Sequence, residues 1–200
     1  MKMIMMTCGL AASLLFLLSG CVSHEVVPNW HGKVESEVRA LGYGNWVVIA
    51  DASYPYKNNN GYRTISIDAE APEVIDHLIN SIEQTQHVRP HFYVSRELRA
   101  VNNEQAPGID LFRQQLRASL HGYAPRELEE SMLKSLVKDG AENFTVLVIK
   151  TQTTLPYSSI FVDLDSGYWD RDAEQTLRKK IQEQTEAAKD YPTISVSARD

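Results

Sequence analysis

Residues 44–55 read Gly44-Asn-Trp-Val-Val-Ile-Ala-Asp51-Ala-Ser-Tyr-Pro55. The run from Asn45 to Ala50 is a strand. It is continuously apolar after Asn45 rather than alternating, which suits a sheet covered on both faces. It stops at Asp51, and Pro55 follows four residues later. A strand of this kind holds a carboxylate rigidly at its carboxyl tip.

Upstream, Trp30, Val34, Val38 and Leu41 recur at helical spacing and predict a first helix over 30–41. Gly42 and Gly44 end it. Downstream, "YPYKNNNGY" (54–62) has turn chemistry, and "RTISID" (63–68) alternates as a second strand. "APEVIDHLINSIEQ" (71–84) is a helix with an apolar stripe of Val74, Ile75, Leu78, Ile79 and Ile82. "HFYVS" (91–95) is a third strand. "GIDLFRQQLRASL" (108–120) and "PRELEESMLKSLV" (125–137) are amphipathic helices separated at Gly122 and Pro125. "FTVLVIK" (144–150) is a strand, "TQTTLPYS" (151–158) a loop and "SIFVDL" (159–164) the last strand. "DAEQTLRKKIQEQTEAAKD" (172–190) is a polar helix with a narrow stripe at Ala173, Leu177 and Ile181. That stripe predicts loose docking on the body. Strands alternating with helices define an α/β layered domain with a largely parallel sheet. In such sheets ligands collect beyond the carboxyl ends of the strands, where Asp51 and the loop after Lys150 lie.

The first twenty residues read as a targeting segment. Lys2 supplies a minimal positive region, and an apolar stretch from Gly9 to Leu18 is too short to span a bilayer. "LSGC" (18–21) follows and resembles a bacterial lipoprotein signal, in which Cys21 becomes the acylated N-terminus. The expected organisation is a signal over 1–20, a tether over 21–29, one domain over 30–165 and a helical extension over 166–200. By analogy with Gram-negative lipoproteins, Val22 after the cysteine points to the periplasmic face of the outer membrane in the cell envelope. Cys8 leaves with the signal and Cys21 is blocked by lipid, so no disulfide is expected despite export. The net charge is −6, and −7 once Lys2 is removed with the signal. That balance argues against a nucleic-acid surface.

Three segments carry a family resemblance: "LGYGNWVVIADASYP" (41–55), "RTISID" (63–68) and "VIKTQTTLPYSSIFV" (148–162). Together they resemble the D-ribose pyranase and L-fucose mutarotase family. Its pattern is Gly-His-Gly-Asp, an apolar strand, Asp-Ala and a nearby proline, then a later strand, an Arg-Thr-Gly-Glu-like turn and Pro-Tyr-Ala-Asn. Asp51 and the Pro156-Tyr157 pair match, and Arg63 opens the second strand as the family's arginine does. The likeness spans about 30–164, and the chain from Asp165 onward has no counterpart.

The resemblance implies a ribose-pyranase-like fold with an added C-terminal helix, a free monosaccharide as small-molecule partner, no metal or cofactor, and rings of identical subunits that share their sites. It implies proton transfer at a hemiacetal, with Asp51 and Tyr43 in the catalytic positions. Tyr157 and Ser159 are in sugar-contacting positions, and His121 and Arg126 fall where the family takes a further histidine or arginine from its helical region.

The departures bear on chemistry. Tyr43 stands at the family's histidine, Asn45 at its acid, Ser159 at its asparagine, and Gln152 and Thr153 at its glycine and glutamate. A tyrosine, with pKa of about 10, is a poor base at neutral pH, where histidine at about 6.5 is well matched. Tyr43 can still donate a hydrogen bond. The alternative reading is therefore a non-catalytic envelope binding or scaffold protein. Asp51 also admits a local role in capping its own loop, and Tyr43 and Tyr157 admit packing roles.

Other chemistries find no pattern. His24, His31, His77, His87 and His91 share no metal-ligand spacing, and Pro90 separates the last two. No serine lies in a Gly-x-Ser-x-Gly elbow, and "GYG" lacks the further glycines of a phosphate loop.

Overall fold

The computed structural model describes residues 27–59 and 61–189. The expected signal segment, Cys21 and most of the tether lie outside the described residues. The chain runs α1 (Trp30–Arg39), β1 (Trp46–Ala50), β2 (Tyr62–Ser66), α2 (Ala71–Glu83), β3 (Val88–Ser95), a single 3-10 turn (Arg96–Arg99), α3 (Ile109–Ser119), β4 (Arg126–Leu128), α4 (Glu130–Gly140), β5 (Val146–Lys150), β6 (Ile160–Ser166) and α5 (Arg171–Lys189).

The six strands form one sheet in the order β2-β5-β1-β6-β3-β4. β2, β5 and β1 are mutually parallel, β6 is antiparallel to both β1 and β3, and β3 is parallel to β4. Only β6 is reversed, so the sheet is largely parallel, as expected. This reversal brings the start of β6 to the end where β1 and β5 finish.

Both faces are covered, which is why β1 and β5 read as unbroken apolar runs. On one face Val47, Ile49, Leu147, Ile149, Ile160, Val162 and Leu164 pack under α1, α2 and α3. On the other, Trp46, Val48, Val146, Val148 and Phe161 pack under α4 through Leu133 and Val137. Gly61 sits at φ +82°, and a Cβ there would meet the Ala141 carbonyl oxygen at 1.9 Å, so the turn into β2 admits only glycine.

Arg63 does not reach a ligand rim. Its guanidinium pairs with Glu37 of α1, which Lys33 also holds at 2.7 Å. Burial alone would raise the Glu37 carboxyl, but hydrogen bonds from Lys33 and Arg63 outweigh it and hold the group below its ordinary range.

The helix expected over 125–137 is corrected. Arg126–Leu128 is a short edge strand, and the helix begins at Glu130. The apolar spacing around Leu128 and Leu133 mimics a helix, while backbone pairing of Tyr93–Ser95 with Arg126–Leu128 decides the local conformation. β3 also begins earlier than expected and includes Pro90. β4 pairs only with residues 93–95, so β3 has no second neighbour at Pro90, where a missing N–H costs no ladder bond. α5 matches its expected range, and its side chains from Gln175 to Glu186 are exposed. Among the described residues no helix is long and apolar enough to cross a membrane.

Candidate functional site

At the carboxyl end of β1, Asp51 is fixed on both sides. Its backbone N–H donates to Ser159 Oγ at 3.1 Å, and Ser159 Oγ donates to Asp51 Oδ2 at 2.7 Å. The Ser53 N–H donates to Asp51 Oδ1 at 2.8 Å, and the Ser53 hydroxyl donates to the same oxygen. The adjoining backbone is tied across the sheet: Ala52 N–H to the Thr153 carbonyl at 2.8 Å, and Thr151 N–H to the Ala50 carbonyl at 2.9 Å. The capping role and the rim position of Asp51 are thus both present.

This carboxylate opens onto a cleft of about 700 Å³ lined by Ser53, Tyr54, Glu130, Lys134, Pro156 and Tyr157, among others. Tyr157 has φ +57° and is 39% exposed. A left-handed conformation in a bulky non-glycine residue is uncommon and costs of order 1–3 kcal/mol. Ser158 braces the turn by donating to the Leu155 carbonyl at 2.7 Å. Lys134 pairs with Glu130 along α4. Burial pushes the Tyr54 phenol up to about 12, helped by Tyr62, Asp51 and Glu130 nearby, so it is a protonated donor at neutral pH. Asp51 and Tyr157 therefore line one cleft, while Ser159, 1% exposed, lies behind Asp51 and does not line it.

Tyr43 does not join them. It precedes β1, whereas Asp51 follows it, and a five-residue strand spans about 17 Å. Tyr43 is 69% exposed at the opposite end of the sheet. There it lines a pocket of about 270 Å³ with His91, Tyr93, Arg126, Asp163, Asp165 and other residues. Arg126 lies over the Tyr93 ring at 5.9 Å. His91 and Asp163 are direct cross-strand partners, so their side chains share one face. His91 Nε2 is 3.4 Å from Asp165 Oδ2, and Arg89 donates to the same oxygen at 3.2 Å.

The two carboxyls are driven apart. Burial raises Asp163 above the usual aspartate range, and Asp165 adds to that push against the opposing charges of His91 and Arg126. Burial would raise Asp165 too, but the Ser166 amide, His91 and Arg89 outweigh it and hold it low. A raised and a lowered carboxyl beside an imidazole can supply an acid and a base.

His121 belongs to neither place. It lines a third cavity between α3 and β3. Sequence reasoning missed His91, Asp163 and Asp165. The available signal was the alternation of β6, which puts Phe161, Asp163 and Asp165 on one face and Ile160, Val162 and Leu164 on the other. Among the described residues no group of three or more His, Cys, Asp or Glu side chains is placed to hold a metal ion.

No protein-family model matches this sequence, and no curated protein matches it significantly. Several solved structures are similar to it. RbsD of Bacillus subtilis, complexed with D-ribose, has 20% identity over 70% of this chain and 95% of its own, with a TM-score of 0.46. FucU of Bifidobacterium longum has 15% identity over 70% and 95%, at 0.45. The fucose mutarotase of Streptococcus pneumoniae, in complex with L-fucose, has 17% identity over 65% and 89%, at 0.40. The chain is similar in fold to these structures.

Proposed function

We propose that this chain binds a free monosaccharide, or a similarly small polyhydroxylated molecule, in the cleft between Asp51 and Tyr157. The observation that carries this reading is the immobilised Asp51 carboxylate sharing one cleft with a tyrosine kept in a strained backbone conformation. Oδ2 accepts one bond from Ser159 and has capacity for a ligand hydroxyl. Tyr157 offers an apolar ring face with a polar tip, and Lys134 and Glu130 add a donor and an acceptor. Ligand-observed nuclear magnetic resonance with D-ribose, L-fucose and D-galactose tests it. Saturable binding that weakens at least fivefold in Asp51→Asn and Tyr157→Ala supports the reading. No saturable binding of any of the three sugars overturns it.

A second reading, hemiacetal opening, is favoured by the pairing of His91 with the raised Asp163 near Tyr43. In it, His91 takes the anomeric hydroxyl proton as the C1–ring oxygen bond breaks. Asp163 passes a proton to the ring oxygen. The open aldehyde recloses from either face, with no net oxidation or loss of atoms. Anomer exchange followed by nuclear magnetic resonance should exceed the spontaneous rate and fall to it in Asp163→Asn and His91→Gln. Exchange at the spontaneous rate in the unmodified protein leaves the non-catalytic binding or scaffold role. Tyr43→His, which restores the family's residue, should then introduce activity if the pocket is otherwise competent.

We further propose that Cys21 is acylated and tethers the domain in the cell envelope, at the periplasmic face of the outer membrane. Cys21→Ser should move the protein from the membrane to the soluble fraction. The separation of Tyr43 from Asp51 also suits a homo-oligomer in which the ends of neighbouring subunits meet. Light scattering of the mature chain should then give a mass above that of a monomer.

A further inference from the structure

The cavity that holds His121 lies between α3, β3 and β4 and measures about 410 Å³. Val94, Leu98, Leu116 and Leu120 line it and are buried members of the core. Ser95, which also lines it, is 2% exposed, and its hydroxyl has no hydrogen-bond partner.

The mouth is cationic. Three arginines and one histidine surround it, against a single carboxylate, Glu127. Two of the arginines are already engaged. Arg99 pairs with Glu127 at 3.1 Å, and Arg113 donates to the carbonyls of Leu98 and Val101 and pairs with Asp110. Arg117 and His121 make no hydrogen bond or ion pair among the described residues. In a chain of net charge −6, this leaves an unspent guanidinium beside an apolar pocket.

We propose that this cavity binds a small amphipathic monocarboxylate, with its aliphatic or aromatic body on the leucines and its carboxylate at Arg117 and His121. A free sugar fits this site poorly, because the hydroxyls it turns toward the leucine floor would lose water without gaining partners there. The site is thus separate from the monosaccharide cleft, and His121 serves it rather than the role the family resemblance implies.

Octanoate is the probe, with octanol and D-ribose as controls, on the mature chain labelled for amide nuclear magnetic resonance. Octanoate should shift the amides of residues 94–98 and 116–123 saturably. Octanol should bind at least tenfold more weakly, and D-ribose should leave these amides unmoved. Arg117→Glu, at an exposed position, should weaken octanoate tenfold or more without changing the melting temperature. Failure of octanoate to saturate, equal affinity for octanol, an undiminished Arg117→Glu, or D-ribose shifting these amides would each overturn the proposal. None of these outcomes depends on whether sugars bind at Asp51.

Discussion

Asp51 and Ser159 hold each other across 108 residues of chain: the Asp51 amide donates to Ser159 Oγ at 3.1 Å, and that hydroxyl donates back to Asp51 Oδ2 at 2.7 Å. One serine thus satisfies a strand-end amide and orients the carboxylate at the same time. Ser159→Ala should lower stability by about 1–2 kcal/mol, because it leaves the part-buried Asp51 amide without its acceptor. Urea denaturation measures the loss. An unchanged midpoint would show that Asp51 is held by Ser53 alone.

Tyr157 separates stability from recognition. Glycine adopts positive φ without a Cβ penalty, so Tyr157→Gly should raise stability by about 0.5–1 kcal/mol while weakening monosaccharide binding. Tyr157→Ala should weaken binding without that gain. Thermal melting with a parallel sugar titration checks both, and a Tyr157→Gly protein that binds as well as the original would remove the tyrosine from the site.

Glu37 sets part of the acid limb of stability. Its folded-state pKa lies below the ordinary 4.5, so its contribution is complete above that value and fades as pH falls through the folded value. Arg63 and Lys33 are about half exposed, which reduces the gain. Glu37→Gln should cost about 1–2 kcal/mol at pH 7. Denaturation curves should show that difference narrowing from pH 4.5 downward.

Asp163 has the opposite sign. Its pKa is raised in the folded state, so the folded chain holds this proton more tightly than the unfolded chain. The penalty is absent below the ordinary 3.8 and grows until pH passes the folded value. Asp163→Asn should therefore raise the melting temperature at pH 7 by about 2 °C or more, with no gain at pH 3. If the same variant abolishes anomer exchange, the strain of this carboxyl is spent on chemistry.

The α/β layering was legible because β1 and β5 are buried on both faces and their sequences say so. The Asp51–Tyr157 convergence followed from strand ends that share a rim, with the family resemblance supplying the pair. β4 was misread because three residues paired at a sheet edge leave no period of their own, and Arg126-Glu127-Leu128 blends into the amphipathic run after it. Within one chain Tyr43 and Asp51 flank the same strand and so lie at its two ends, a separation that motif matching alone does not register. His91 and Asp163 are adjacent only through β3–β6 pairing, which local sequence does not encode.

The reversed strand acts as a ruler. β6 is hydrogen-bonded along both edges, and shifting its register by one residue would turn its side chains over. Its seven residues span about 23 Å, with Ser159 just before one end and Asp165 near the other. That length is several pyranose widths, so one sugar cannot be touched by both extremities of a single molecule. Any ligand that meets Tyr43 and Asp51 together must be clasped by two chains.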